Sequence, residues 1–219
     1  MNYDIIRSLR SDEIIPDYTP PIRDLLARIC KDKTIIDLAC GPGWAGTTCL
    51  LNGAKFSKFA DARISRLNKH DLKSFENYSL SFIDLNNPNL FKDLLHDVDV
   101  ILYFGHLYHA TNHEEILNFI FSSSATEFII DSKMFVNQDN ETPSIEWLVE
   151  PTDSEFNIWH DTEKSISIGR PNLAWLLNYL EEHNLNIIEI IQTTSINKQA
   201  PIHEFINFTV YCSKNNYYE

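Results

Sequence analysis

The chain has 219 residues, 43% of them apolar, which suits one domain with a sizeable core. It carries 31 acids against 18 bases, a formal net charge of −13, and its bases do not cluster, which disfavours nucleic acid or an anionic membrane surface as a partner. The N-terminal MNYDIIRSLRSDEIIPDY lacks an apolar signal core and no run approaches a membrane span, so a cytoplasmic location is expected.

In chain order, DYTPPIRDLLARI (17–29) is expected to end in a helix. TIIDLAC (34–40) is a short apolar run leading into glycine and reads as a buried parallel strand. GWAGTTCLLNGA follows as a helix with a glycine stop. KFSKFADA (55–62) predicts a second strand ending at Asp61, ISRLNKHDL a helix, and LSFIDLNN (80–87) a third strand ending near Asp84. LFKDLLHD (90–97) predicts a short helix, and VDVILYFG (98–105) the fourth strand.

Thr111 and Glu114 have the spacing of a capping box ahead of a helical stripe of Ile116, Phe119 and Ile120. TEFIIDSKMF (126–135) predicts the fifth strand, and 136–170 an irregular stretch. Pro171 is placed to open a helix carrying Leu173, Leu176, Leu177 and Leu180. LNIIEIIQ (185–192) and EFINFTVYC (204–212) close the chain with only a short connection between them, which favours antiparallel pairing. The expected fold is therefore α/β: a Rossmann-like, seven-stranded, mostly parallel sheet with an antiparallel last strand and helices on both faces. Cys30, Cys40, Cys49 and Cys212 form no C-x-x-C pair or zinc spacing, so buried thiols and no metal centre are expected.

DLACGPGWAG contains Gly41, Gly43 and Gly46 in the spacing of a dinucleotide-binding fingerprint. Asp37, however, stands four residues before Gly41. An anion is unfavourable beside a pyrophosphate and favourable beside a cationic, phosphate-free cofactor such as S-adenosylmethionine.

IIDLACGPG resembles the first motif of class I S-adenosylmethionine-dependent methyltransferases, over roughly residues 20–131 and the closing strands. The resemblance implies that S-adenosyl-L-methionine is the cofactor and S-adenosyl-L-homocysteine the product. It implies that Asp61, 18 residues after Gly43, takes the two ribose hydroxyls and that Asp84 receives the adenine amino group. Asp37, Ala39, Gly41, Gly43, Ala62, Leu85, Phe104 and Gly105 would complete the cofactor site. Residues 1–30 would form a helical lid in which Arg23 pairs with the cofactor carboxylate, within a single methyltransferase domain spanning 1–219.

For a hydroxyl acceptor the reaction needs alignment and a base. GHLYHAT (105–111) faces the transferred group in this family's fold and offers His106, Tyr108 and His109. His106 is the first candidate base, followed by His109 and by Asp131 at the end of the fifth strand. The fourth-strand motif FGHL lacks the D/N/S-P-P-Y/F pattern of amine methylation and the nucleophilic Cys of pyrimidine C5 methylation.

Residues 132–170 read as a substrate cap. Residues 137–163 carry eight acids and no Lys or Arg, together with Trp147, Trp159 and His160, which suits a sugar or another polyhydroxylated compound. The expected reaction is methyl transfer to a hydroxyl of a small molecule or glycan, with Tyr108, Trp159 and His160 at the acceptor. Modification of a transfer-RNA nucleoside, of methyl or carboxymethyl type, and a non-catalytic cofactor-binding subunit are the alternatives.

Overall fold

The computed structural model describes residues 19–63, 67, 72–135, 142–151, 165–194 and 205–215. The first helix, α1 (Thr19–Ile29), has Pro20 and Pro21 in its first turn, where no intrahelical N–H is needed. Its Ile22, Leu25, Leu26 and Ile29 are all buried, one stripe of a helical period.

The strands are β1 (Thr34–Leu38), β2 (Phe56–Asp61), β3 (Tyr78–Phe82), β4 (Val100–Phe104), β5 (Glu127–Phe135), β6 (Ile145–Pro151), β7 (Ser165–Pro171), β8 (Leu185–Thr194) and β9 (Phe205–Lys214). The remaining α-helices are α2 (Trp44–Leu51), α3 (His113–Phe121) and α4 (Leu173–Glu182). Seven strands form one sheet in the order β3-β2-β1-β4-β5-β9-β8. β9 runs antiparallel to both β5 and β8, while the other pairs are parallel.

Alternate residues of the buried strands feed two apolar layers. Ile35 of β1 and Val100 and Leu102 of β4 pack with α1 and α2. Ile36, Leu38, Ile101 and Tyr103 pack with α3 and α4 on the other face. β1 lies between β2 and β4, so the connections turn in opposite directions there. A crevice at such a switch point lies beyond the carboxyl ends of the two strands, here at Ala39 and Gly105.

Several local expectations are corrected. LFKDLLHD forms two short 3-10 turns, Pro88–Leu90 and Lys92–Leu95, instead of an α-helix. The cap of α3 is Asn112, not Thr111: its Oδ1 accepts from the Glu115 N–H while its amide donates to Glu115 Oε2 at 2.6 Å. The Thr111 hydroxyl instead donates to Asn86 Oδ1 at 3.1 Å. Pro171 ends β7, and α4 is capped by Asn172, whose Oδ1 accepts from the Trp175 N–H at 2.8 Å.

The 136–170 stretch, expected to be irregular, contains the antiparallel pair β6–β7 as a separate two-stranded sheet. This pair docks on the end of α3. Gly169 N–H donates to the Ala110 carbonyl at 3.0 Å, and the Gly169 carbonyl lies 2.8 Å from His113 Nε2. Among the described residues no helix is long and apolar enough to cross a membrane.

Candidate active site

The loop between β1 and α2 bends through left-handed backbone at Ala39 (φ 59°), Gly41 (49°) and Gly43 (83°). Gly43 and Gly46 are glycines for want of space as well. A Cβ on Gly43 would meet Leu67 Cδ1 at 2.2 Å, and one on Gly46 would meet Phe59 Cε1 at 2.4 Å. The third glycine of the motif thus lets α2 lie directly on β2. At Gly105 (φ 71°) a Cβ would meet nothing within 4 Å, so the backbone there borders open space.

Asp37 is 1% exposed. Its Oδ2 accepts a hydrogen bond of 2.9 Å from the Gly46 N–H. That N–H belongs to the first turn of α2, whose Gly43 cap supplies no side-chain acceptor. The carboxylate therefore serves the positive end of the helix from below. It occupies a donor that a dinucleotide's pyrophosphate would need. Its Oδ1 is buried and has no hydrogen-bond partner among the described residues. Burial raises its pKa to about 7, against the lowering effect of the Gly46 N–H, and the nearby Asp61 charge adds to the rise. Such a group gains from a cation placed beside it.

Asp61, 5% exposed, closes the end of β2. Its Oδ2 accepts from the Gly41 N–H at 2.9 Å and its Oδ1 from the Arg63 N–H at 2.5 Å. Two carboxylate oxygens offer about four acceptor directions, so capacity remains for two further donors. Ala62 follows, half-buried in a turn. At the end of β3, Asp84 is half-buried and accepts from the Asn86 N–H at 2.9 Å. The Leu85 side chain belongs to the apolar core. Asp37, Asp61 and Asp84 thus stand at or just beyond the carboxyl ends of three adjacent strands.

Trp44, at the start of α2, was not singled out by the sequence pattern. Its ring lies 5.7 Å from that of Phe104, at the end of β4, so the two rings meet between the two strand-end loops. Cys40 is 5% exposed, and burial, then Asp37 and Asp61, push its thiol far up. That excludes a ready thiolate nucleophile in the loop.

After β4, Gly105 N–H donates to the Asp131 carbonyl at 2.9 Å, and Leu107–His109 form a 3-10 turn. His106 is half-buried, with Nδ1 2.8 Å from the Tyr103 hydroxyl. Its pKa is pushed down to about 3, first by burial and then by repulsion from His109, His113 and Arg63. His109 is buried, and its ring packs 4.1 Å from Tyr108. Lys133 lies over the other aromatic member of this pair, 5.5 Å from the Tyr108 centroid. Asp131 is 5% exposed and its Oδ2 accepts from the Thr209 hydroxyl at 2.6 Å.

The structure places His106, Tyr108 and His109 in the turn that follows β4, and Asp131 in the middle of β5, level with the last residue of β4, not at the end of its strand as the sequence suggested. Arg23 lies on the exposed side of α1, while the buried side of that helix packs on the sheet face. Trp159 and His160 lie outside the described residues, whereas Trp147 is 55% exposed on β6 with its ring edge-on to His113. Among the described residues no three His, Cys, Asp or Glu side chains come together as a metal site.

No family model matches the sequence, and no curated protein matches it significantly. Solved structures do match. An S-adenosylmethionine-dependent methyltransferase from Mesorhizobium loti superposes with a TM-score of 0.60 at 14% identity, covering 89% of this chain and 96% of the other. The N-terminal domain of EvdMO1, crystallised in the presence of S-adenosylhomocysteine and D-fucose, gives 0.63 at 14% identity, covering 90% and 84%. A candidate RNA methyltransferase, PH1948 from Pyrococcus horikoshii, gives 0.56 at 11% identity, covering 93% of both chains.

Proposed function

From the premise that this chain has the fold of class I S-adenosylmethionine-dependent methyltransferases, we propose that it moves a methyl group from S-adenosylmethionine to a hydroxyl oxygen of a small polar molecule, with sugars as the favoured class. The observation that carries this reading is the trio of strand-end carboxylates, above all the buried, unpartnered Oδ1 of Asp37. The residues fit the cofactor. Asp37 suits its cationic end, Asp61 keeps acceptor capacity for the ribose hydroxyls, and Asp84 suits the adenine amino group. When bound, S-adenosylmethionine supplies an electrophilic methyl group on a sulfonium.

The chain's own task is to align an acceptor oxygen and remove its proton. Asp131 is the group we assign to the proton. It lies in the middle of β5, not at its end as the sequence suggested, but level with Phe104, the last residue of β4, and the Thr209 hydroxyl holds its carboxylate by a 2.6 Å hydrogen bond. His106, its pKa pushed down to about 3 mainly by burial, falls to the range of an ordinary carboxylate and loses the advantage of an imidazole base, and its Nδ1 is engaged with the Tyr103 hydroxyl. The acidic balance of the chain, −13 overall, favours a small acceptor over RNA.

A panel assay with methyl-labelled S-adenosylmethionine against sugars, amines, carboxylates and transfer RNA tests the reading. Label in a sugar is the expected outcome. Label in RNA alone would replace it with the nucleoside-modifying alternative, and cofactor binding without transfer to any acceptor would favour a non-catalytic subunit.

A further inference from the structure

Tyr103 lies in the middle of the sheet, fully buried, and its side chain crosses from β4 to the loop that follows. Burial pushes its hydroxyl far above the ordinary phenol range, so the group keeps its proton at every physiological pH. A buried hydroxyl needs an acceptor for that proton. Among the described residues its hydrogen-bond partner is Nδ1 of His106, at 2.8 Å.

The rest follows from the chemistry of imidazole. A neutral ring has one donor and one acceptor nitrogen. If Tyr103 donates, Nδ1 is the acceptor and the ring proton sits on Nε2. The opposite arrangement would leave the tyrosine hydroxyl donor buried without a partner. Nε2 has no protein partner among the described residues, and the ring is half-buried at the edge of the crevice.

We propose that Tyr103 is a positioning residue that fixes His106 as its Nε2–H tautomer, so that His106 donates a hydrogen bond to an oxygen of the acceptor molecule and does not take its proton. This rests on the methyltransferase reading above. As the new O–C bond forms and the S–C bond breaks, the hydroxyl proton passes to Asp131, and His106 holds the acceptor by its own N–H throughout. The substrate class is narrowed accordingly to molecules with a second oxygen near the methylated one, as in a sugar or a hydroxy acid. Burial, and after it the proximity of His109, His113 and Arg63, reinforces the arrangement by disfavouring an imidazolium at His106.

Two measurements test it. Long-range nitrogen–proton NMR on histidine-labelled protein, assigned with the His106→Gln variant, should show His106 as the Nε2–H tautomer, unchanged from pH 8 to pH 5. Tyr103→Phe should let the ring exchange between its two neutral tautomers. An Nδ1–H tautomer, or titration of the wild-type ring near its ordinary pKa of about 6.5, would overturn the proposal.

In turnover, Gln offers a carbonyl to Tyr103 and an N–H to the crevice. His106→Gln should therefore stay within about tenfold of wild type while His106→Leu falls about a hundredfold or more, the size of a lost catalytic contact. Equal loss in both would contradict the donor role. If the wild-type protein methylated none of the panel, the proposed reaction would fall and the donor role with it, while the NMR result would still decide the tautomer.

Discussion

The buried Asp37 makes a quantitative prediction about pH. In the protein its pKa is about 7, raised mainly by burial, against an ordinary value near 3.9. Between those values the folded chain holds a proton that the unfolded chain has released. Stability of the unliganded protein should therefore fall as pH rises through this window, by at most about 4 kcal/mol at 1.36 kcal/mol per pKa unit. A cationic ligand reverses the preference, because it favours the carboxylate. Cofactor affinity should rise with pH, by no more than about tenfold per unit below pH 7, and level off above it. Calorimetry with S-adenosylmethionine from pH 5.5 to 8.5, in buffers of different ionisation enthalpy, reads both the affinity and the proton released. Asp37→Asn keeps an acceptor for the Gly46 N–H but cannot ionise. It should flatten the profile, weaken binding at pH 8 by about 1.5–3 kcal/mol, and raise the melting temperature of the free protein at that pH. A variant with unchanged affinity and an unchanged pH profile would refute the assignment of Asp37 to the cationic end of the cofactor.

Asp61→Ala removes acceptors for the Gly41 and Arg63 N–H groups and for the ribose, and should cost about 2–3 kcal/mol of cofactor affinity by calorimetry. Gly46→Ala would drive a Cβ to 2.4 Å from Phe59 Cε1. It should destabilise the fold by about 1–3 kcal/mol in urea unfolding, and Phe59→Leu should recover part of that loss in the double variant. Asp131→Asn should lower kcat by about a hundredfold or more with cofactor affinity retained; near-normal turnover would move the proton to His109. Asn172→Ala removes the cap of α4 and the amide's 2.7 Å bond to the Thr142 carbonyl, and should cost about 1–2 kcal/mol.

The sheet was legible because central parallel strands are buried on both faces, so VILYF stands out as an unbroken apolar run and TIIDL as one interrupted only by Asp37 after its opening threonine. The carboxylates were legible because glycine spacing and strand ends fix their place along the chain. What Asp37 does was not: the bond to Gly46 depends on how α2 lies over β1, which the spacing alone does not give. The β6–β7 pair was legible only in part: β7 alternates, with Ser165 and Ser167 exposed and Ile166 and Ile168 buried, but over too few residues to stand out. On β6 the apolar Trp147 and Val149 are 55% and 72% exposed, so apolar character does not mark its buried face. Asn172 was missed in favour of Pro171 because the proline completes the ladder with Ile145, a tertiary pairing. Tyr103 read as a core residue of a strand, and only the 3-10 turn after Gly105 brings His106 back to its hydroxyl.

The central claim is that the cleft beyond β1, β2 and β3 binds a cationic adenosyl cofactor. Titration of the purified protein with S-adenosylhomocysteine and, separately, with NAD, followed by a crystal structure of the tighter complex, tests it most directly. The account predicts S-adenosylhomocysteine bound with its ribose hydroxyls on Asp61 and its amino group toward Asp37. A dinucleotide seated with its pyrophosphate on the first turn of α2 would contradict it.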